Sequence, residues 1–236
     1  MTDSMMHDWR IEPREYERHE ARRGRRHAYE SLNPARTALV VVDMVDFFLS
    51  ENPYARGIVP NIRTLADALR ARGGTVAWVV PAVGEPTPWQ CDFYGEEIAQ
   101  AYAGSGGAAS PRERVSTSFH IADSDLVVEK SSAGAFFPGR CDLHDLLQQR
   151  QVDTVLVTGT VANVCCESTA RDASTLGYRV IMVADANAAI RDADLNATLH
   201  TIYRSFGDVR PTADLLAIVG SGINRSARLR DRRPLS

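Results

Sequence analysis

Short β-branched apolar runs recur along this chain, each followed by a stretch of helical periodicity, and this alternation limits the possible folds more than any other feature. The runs 37–42 (TALVVV), 75–80 (TVAWVV), 126–128, 154–157 (TVLV) and 179–183 read as strands. An unbroken apolar run, as opposed to strict alternation, belongs to a strand covered on both faces. Between the strands, residues 61–72 place Ile62, Leu65, Ala66 and Leu69 at helical spacing and stop at Gly73-Gly74. Residues 142–150, 164–176 and 192–206 read as further helices. Strands separated by helical crossovers imply an α/β fold, a doubly wound, mainly parallel sheet with helices on both faces. The small-residue stretch 101–110 reads as a loop and not as an interdomain linker. The expected organisation is a polar, Arg-rich arm over 1–35, one α/β domain over 36–224 and a basic tail over 225–236.

Composition narrows the function classes. At 236 residues with 44% hydrophobic and 24% charged, the chain is of ordinary globular type. A formal net charge of −3 argues against a nucleic-acid partner. The arm's Arg22-Arg23-Gly24-Arg25-Arg26 cluster is offset by Glu12, Glu15, Glu17 and Glu20, so it reads as a solvated segment packed across the domain or a neighbouring subunit, with a nucleic-acid arm as the alternative. No run approaches the roughly 18 apolar residues that span a bilayer, so no membrane partner is expected. The polar N-terminus lacks an apolar signal core, which implies a cytoplasmic location. The four cysteines (91, 141, 165, 166) form no Cys-x-x-Cys pair, and the six histidines show no metal-binding spacing. The cysteines are expected to be reduced, and no metal or other cofactor is expected.

Ligands of open α/β sheets collect at the carboxyl ends of the strands. Asp43 follows the first strand, Lys130 follows the third, and Cys165 lies just beyond the fourth. Lys130 is the only lysine beside 26 arginines. An ammonium is a compact point charge that a planar guanidinium does not imitate. A carboxylate, an ammonium and a thiol at one sheet edge point to an activated cysteine nucleophile. Strand-end charges also cap helices, and a cysteine also serves as a small buried hydrophobe. Cys165 should sit in the first turn of a helix, where the dipole and free N–H groups favour a thiolate. Cys166, rotated by about 100° on that helix, suits the buried structural role, as do Cys91 and Cys141.

Three segments carry a resemblance. Val40-Val41-Val42-Asp43-Met44, then Glu129-Lys130, then 158–173 (TGTVANVCCESTARDA) resemble the isochorismatase-like cysteine hydrolase superfamily, over about residues 37–206. The resemblance implies a doubly wound α/β fold and a triad of Asp43, Lys130 and Cys165. It also implies a cis peptide bond between Thr160 and Val161 that aims the N–H groups of Val161 and Cys165 into the cleft as an oxyanion hole. Phe48, Trp89, Phe137 and Val164 would line the substrate pocket, with Asn163 and Tyr203 as further contacts. The implied activity is that of the metal-free amidase branch, in which a thioester forms as the C–N bond of a small linear amide breaks. A carbamoyl or ureido compound is the expected substrate, and a homodimer or homotetramer the expected assembly. The chain departs from the family pattern at Val45-Asp46, where many members have Gln-Asn, and at Val161-Ala162, where many have Ala-Thr; both bear on substrate fit. Nicotinamidases usually carry an Asp/His metal site between the first two triad positions, whereas residues 44–119 contain no histidine. Ether-cleaving isochorismatases generally lack the nucleophilic cysteine. A silent binding protein of the same fold is the remaining alternative, and the presence of all three triad residues counts against it.

Overall fold

The computed structural model describes residues 3–221. Six strands, β1 (Thr37–Val42), β2 (Thr75–Pro81), β3 (Leu126–Lys130), β4 (Thr154–Thr160), β5 (Arg179–Ala188) and β6 (Asp208–Arg210), form one sheet in the order β3-β2-β1-β4-β5-β6. Every pairing is parallel, as the unbroken apolar runs require. The helices in chain order are α1 (Pro13–Arg23), α2 (Asp46–Glu51), α3 (Pro53–Gly57), α4 (Val59–Arg70), α5 (Pro88–Tyr94), α6 (Glu96–Ala103), the single turn α7 (Pro111–Arg114), α8 (Leu143–Gln149), α9 (Glu167–Thr175), α10 (Asp192–Ser205) and α11 (Thr212–Ser221). None is long and apolar enough to cross a membrane.

Alternate residues of each strand feed two cores. Val40, Val42, Val155, Val157 and Met182 face Leu143 and Leu147 of α8, Ala170 and Ala173 of α9, and Leu195 and Leu199 of α10. Leu39, Val41, Trp78, Leu156 and Ile181 face Ile62, Leu65 and Leu69 of α4 and Leu215 of α11. Each large apolar side chain so enclosed contributes roughly 1.5–3 kcal/mol of burial free energy. Chain order along the sheet reverses between β1 and β4. The carboxyl ends of those two strands therefore splay their connections to opposite faces and leave a crevice between them.

Several boundaries differ from the sequence reading. Helix α4 begins two residues early because Pro60 is accommodated in its first turn, where no N–H is needed. Strand β3 runs on through Lys130, so the lysine ends the strand instead of following it. Strand β5 extends to Ala188, and the periodicity of 164–176 is split by a change of helix type taken up below. The N-terminal segment is less separate than its polar composition implied. Ile11 joins the core, and Glu15 and His19 of α1 are buried. Four contacts hold that segment to its own domain. The His7 ring stacks on Tyr54 with centroids 3.7 Å apart, and its Nε2 accepts the Ala189 N–H at 3.1 Å. The Arg26 carbonyl accepts the Tyr203 hydroxyl at 2.5 Å, and His27 pairs with Asp208 at 3.0 Å. The tail read over 225–236 lies outside the described residues.

Candidate active site

Asp43 is the first residue beyond β1. Its N–H still pairs with the Val79 carbonyl at 2.9 Å, but its φ of 54° turns the chain out of the sheet. Aspartate is among the few residues other than glycine that accept this left-handed conformation readily. On the other side, Gly159 of β4 pairs with Val42. A Cβ at Gly159 would meet the Val42 carbonyl oxygen at 2.1 Å. Glycine thus allows the ends of β1 and β4 to close up at the switch point.

The structure brings Asp43, Lys130 and Cys165 together. The Lys130 ammonium reaches across the end of β2 to stand 2.8 Å from Asp43 Oδ2 and 3.6 Å from Cys165 Sγ, and it donates to the Ser132 carbonyl at 3.1 Å. Asp43 and Lys130 are buried and Cys165 is partly buried. The lysine contact with Asp43 is close but off-axis, so neither carboxylate oxygen receives a well-aligned hydrogen bond from the protein. The thiol is near enough to interact with the carboxylate through its proton. A carboxylate held dry with open lone pairs is suited to accept a proton.

Burial sets the resting protonation. Desolvation raises the Asp43 carboxyl above its ordinary value, opposed by the neighbouring ammonium. Desolvation works against the charge of Lys130, but Asp43 and Cys165 outweigh it and hold the ammonium firmly charged. The Cys165 thiol is pushed up to about 12, first by burial and then by the Asp43 charge; Lys130 and the Val161 backbone N–H only partly offset this. Burial and the Asp43 charge thus work against the thiolate that Lys130 and the Val161 N–H favour, and the resting balance lies on the side of the neutral thiol. The local geometry also differs from the expected first α-helical turn. Residues Ala162–Cys166 form a wider π-type turn ahead of α9, with the Val161 carbonyl accepting from Val164 and Cys166 at 3.1 and 3.2 Å. Cys165 still lies in the first turn of a continuous helical segment, because the π-type turn runs directly into α9.

The Thr160–Val161 peptide bond is cis, as the resemblance implied. The Val161 N–H favours the Cys165 thiolate, and Cys165 belongs to the turn that Val161 opens. Cys166 is fully buried, with Sγ 3.9 Å from the Thr158 carbonyl, which is the structural role expected of it. Cys141 packs at the core margin and Cys91 lies on α5. Of the expected pocket residues, Phe48 follows β1 and is half-buried, edge-on to Phe47 at 5.0 Å. Trp89 follows β2 and stacks on Phe93 at 5.5 Å, and Phe137 follows β3; they are 62% and 53% exposed, so neither is enclosed in a pocket. Asn163 and Val164 are exposed on the turn beside Cys165. Tyr203 requires correction. It lies in the core with its hydroxyl committed to Arg26 and its ring edge-on to Tyr16 and His19, which leaves nothing for a substrate. The sequence reading also missed Thr169, whose hydroxyl donates to the Cys165 carbonyl at 2.7 Å and accepts the Ala135 N–H at 3.1 Å. That one side chain ties the loop after Lys130 to the cysteine turn. Its i+4 spacing from Cys165 was the available signal. Among the described residues, no group of three or more His, Cys, Asp or Glu stands close enough to hold a metal ion.

A doubly wound α/β sheet with a buried carboxylate, ammonium and thiol at its switch point defines a class of small-molecule hydrolases. An isochorismatase domain matches residues 37–214, and the chain belongs to that family of hydrolases. It is 28% identical over 218 residues to the ureidoacrylate amidohydrolase RutB of Rhizobium rhizogenes (strain K84), covering 80% of this chain and 85% of that one. It is 30% identical over 175 residues to nicotinamidase 3 of Arabidopsis thaliana, covering 72% and 81%. The crystal structure of a cysteine hydrolase from Pseudomonas syringae pv. phaseolicola superposes with a TM-score of 0.72 at 31% identity, covering 83% of this chain and 97% of that one.

Proposed function

We propose that this protein is a cysteine amidohydrolase that cleaves the C–N bond of a small linear amide, with a carbamoyl or ureido compound as the favoured substrate. The observation that carries the reading is the single ammonium lying 2.8 Å from Asp43 and 3.6 Å from Cys165 at the switch point. Because the resting thiol is neutral, sulfur attacks the amide carbonyl carbon as its proton passes to Asp43. Lys130 stays charged throughout and stabilises first the carboxylate and then the developing sulfur charge. The carbonyl oxygen becomes an oxyanion against the N–H groups of Val161 and Cys165, an arrangement whose single donors are typically worth about 10²–10³ in rate. The C–N bond then breaks, and Asp43 returns its proton to the departing ammonia or amine. Water attacks the resulting thioester with Asp43 as base. The acid leaves, and the thiol re-forms with the proton that Asp43 releases. Phe48, Trp89, Phe137 and Val164 would contact the remainder of the substrate, with Asn163 at the turn.

The test is ammonia release from ureido acids, N-carbamoyl amino acids, biuret and nicotinamide, with Cys165→Ala as the control. Release from the ureido or carbamoyl compounds that is lost in the variant supports the proposal. Release from nicotinamide alone would move the protein to the nicotinamidase reading, and no release from any amide would refute the amidase reading.

A further inference from the structure

A buried side chain outside the three reacting groups bonds both of the strands that end beside the cysteine turn. Strands β4 and β5 pair in simple register as far as Val157 and Met182, then resume at Gly159 with Asn187 and Thr160 with Ala188. Two steps along β4 are thus matched by five along β5, so β5 bulges out of the ladder just before its carboxyl end. A bulge leaves backbone carbonyls without ladder donors, and a buried carbonyl must find one elsewhere. Here the donors come from one nitrogen. Asn187 Nδ2 donates to the Val157 carbonyl at 2.9 Å and to the Val183 carbonyl at 2.7 Å, one on each strand. Two carbonyl acceptors fix which way the amide faces, since the opposite orientation would set Oδ1 against both. The Asn187 side chain is fully buried, and its Oδ1 has no partner. Only the donating half of the amide is used.

Immediately beyond the bulge the two strands are held together again. Ala188 pairs with Thr160, and the Thr160 hydroxyl donates to the Ala188 carbonyl at 3.3 Å. The next residue, Val161, opens the cysteine turn: its carbonyl accepts from Val164 and Cys166 at 3.1 and 3.2 Å, and its N–H favours the Cys165 thiolate. We infer that Asn187 is a positioning residue for the reaction. Its amide closes the bulge that sets the level of Thr160 beside Ala188, and so holds the Val161 N–H at the sulfur and at the site of the developing oxyanion. The catalytic consequence rests on the proposed amidase reading; the effect on the sulfur does not.

The test uses Asn187→Leu, which keeps the branched shape and removes both donors, and Asn187→Ser, which is smaller and retains one donor. Three quantities are measured on folded protein: kcat and KM for ammonia release, the pH dependence of Cys165 alkylation by iodoacetamide, and the melting temperature. The expected result for Asn187→Leu is a kcat lower by about tenfold or more with KM within about threefold, since a donor displaced by a fraction of an ångström loses part of its effect. Cys165 should alkylate only at higher pH than in the native protein, because the N–H that favours the thiolate has moved away. Asn187→Ser should fall between the two, and it carries the test if the leucine variant does not fold. A lowered melting temperature with kcat and the alkylation profile unchanged would overturn the inference, leaving Asn187 a purely structural residue. If the native protein releases ammonia from no amide, the amidase reading fails, and the alkylation profile by itself still decides whether Asn187 positions Val161.

Discussion

Replacing Asp43 by asparagine should have opposite effects on two measurable properties of Cys165. The carboxylate and the sulfur both touch the Lys130 ammonium, at 2.8 and 3.6 Å, so they stand within about 6 Å of each other. At an effective dielectric near 20, two unit charges no more than about 6 Å apart repel by at least about 3 kcal/mol. Removing that repulsion leaves the ammonium to act on the sulfur alone, and 3 kcal/mol corresponds to roughly a hundredfold more thiolate at a given pH. A less basic thiolate is also a weaker nucleophile, with a Brønsted slope of about 0.4–0.5, so the net gain in alkylation rate is about tenfold. Turnover should move the other way, down by roughly 10²–10⁴, because the base has gone. Leaving Lys130 without its counter-charge costs on the order of 3 kcal/mol of stability, so both assays belong well below the melting transition. The assay is iodoacetamide labelling at pH 7–8 read by fragment-resolved mass spectrometry, with Cys91 and Cys141 as references in the same sample, beside ammonia release. A fall in both properties would refute the electrostatic argument and show that Asp43 already activates the thiol at rest. Near-normal turnover would remove Asp43 as the base.

Lys130→Arg should lose at least about two orders of magnitude in turnover while keeping a native circular-dichroism spectrum, because a planar fork cannot satisfy Asp43, Cys165 and the Ser132 carbonyl from one point; native-like turnover would count against the compact-ammonium role. Cys165→Ala should abolish ammonia release, whereas Cys166→Ala should retain most of it with a small drop in melting temperature, since the Cys166 sulfur is enclosed in the core; equal loss in both would mean the wrong thiol has been assigned. The acid limb of the rate profile should lie above the ordinary aspartate range and disappear in Asp43→Asn, because burial raises the Asp43 carboxyl and activity appears only as that group loses its proton with rising pH; a limb at the usual aspartate position would refute this. Activity should survive exhaustive EDTA dialysis, measured by ammonia release, and a loss restored by zinc or iron would replace the proposed chemistry.

The sequence alone determined the alternation of strand and helix, the parallel sheet that follows from it, and the candidates Asp43, Lys130 and Cys165. These are local facts: an apolar run declares that a strand is covered on both faces, and a polar residue at its carboxyl end declares where a ligand would lie. The resemblance added the position of the cis bond at Thr160–Val161, which the structure contains. Other properties depended on neighbours that no single segment specifies. Periodicity over 164–176 could not reveal that the cysteine turn is of π type, because the apolar spacing that buries Ala162, Cys166 and Ala170 suits either geometry. Nor did the polar character of the first 35 residues disclose that Ile11, Glu15 and His19 are buried or that Tyr203 is occupied by Arg26. Asn187 lies beyond the strand read over 179–183, and its two bonds exist only because β4 and β5 fall out of step there. Most of all, the protonation of Cys165 is a sum over burial, a carboxylate, an ammonium and a backbone N–H contributed by β1, β3 and the turn after β4. The chain order fixes which groups are present, but their mutual distances, and the water excluded between them, exist only once the sheet has closed.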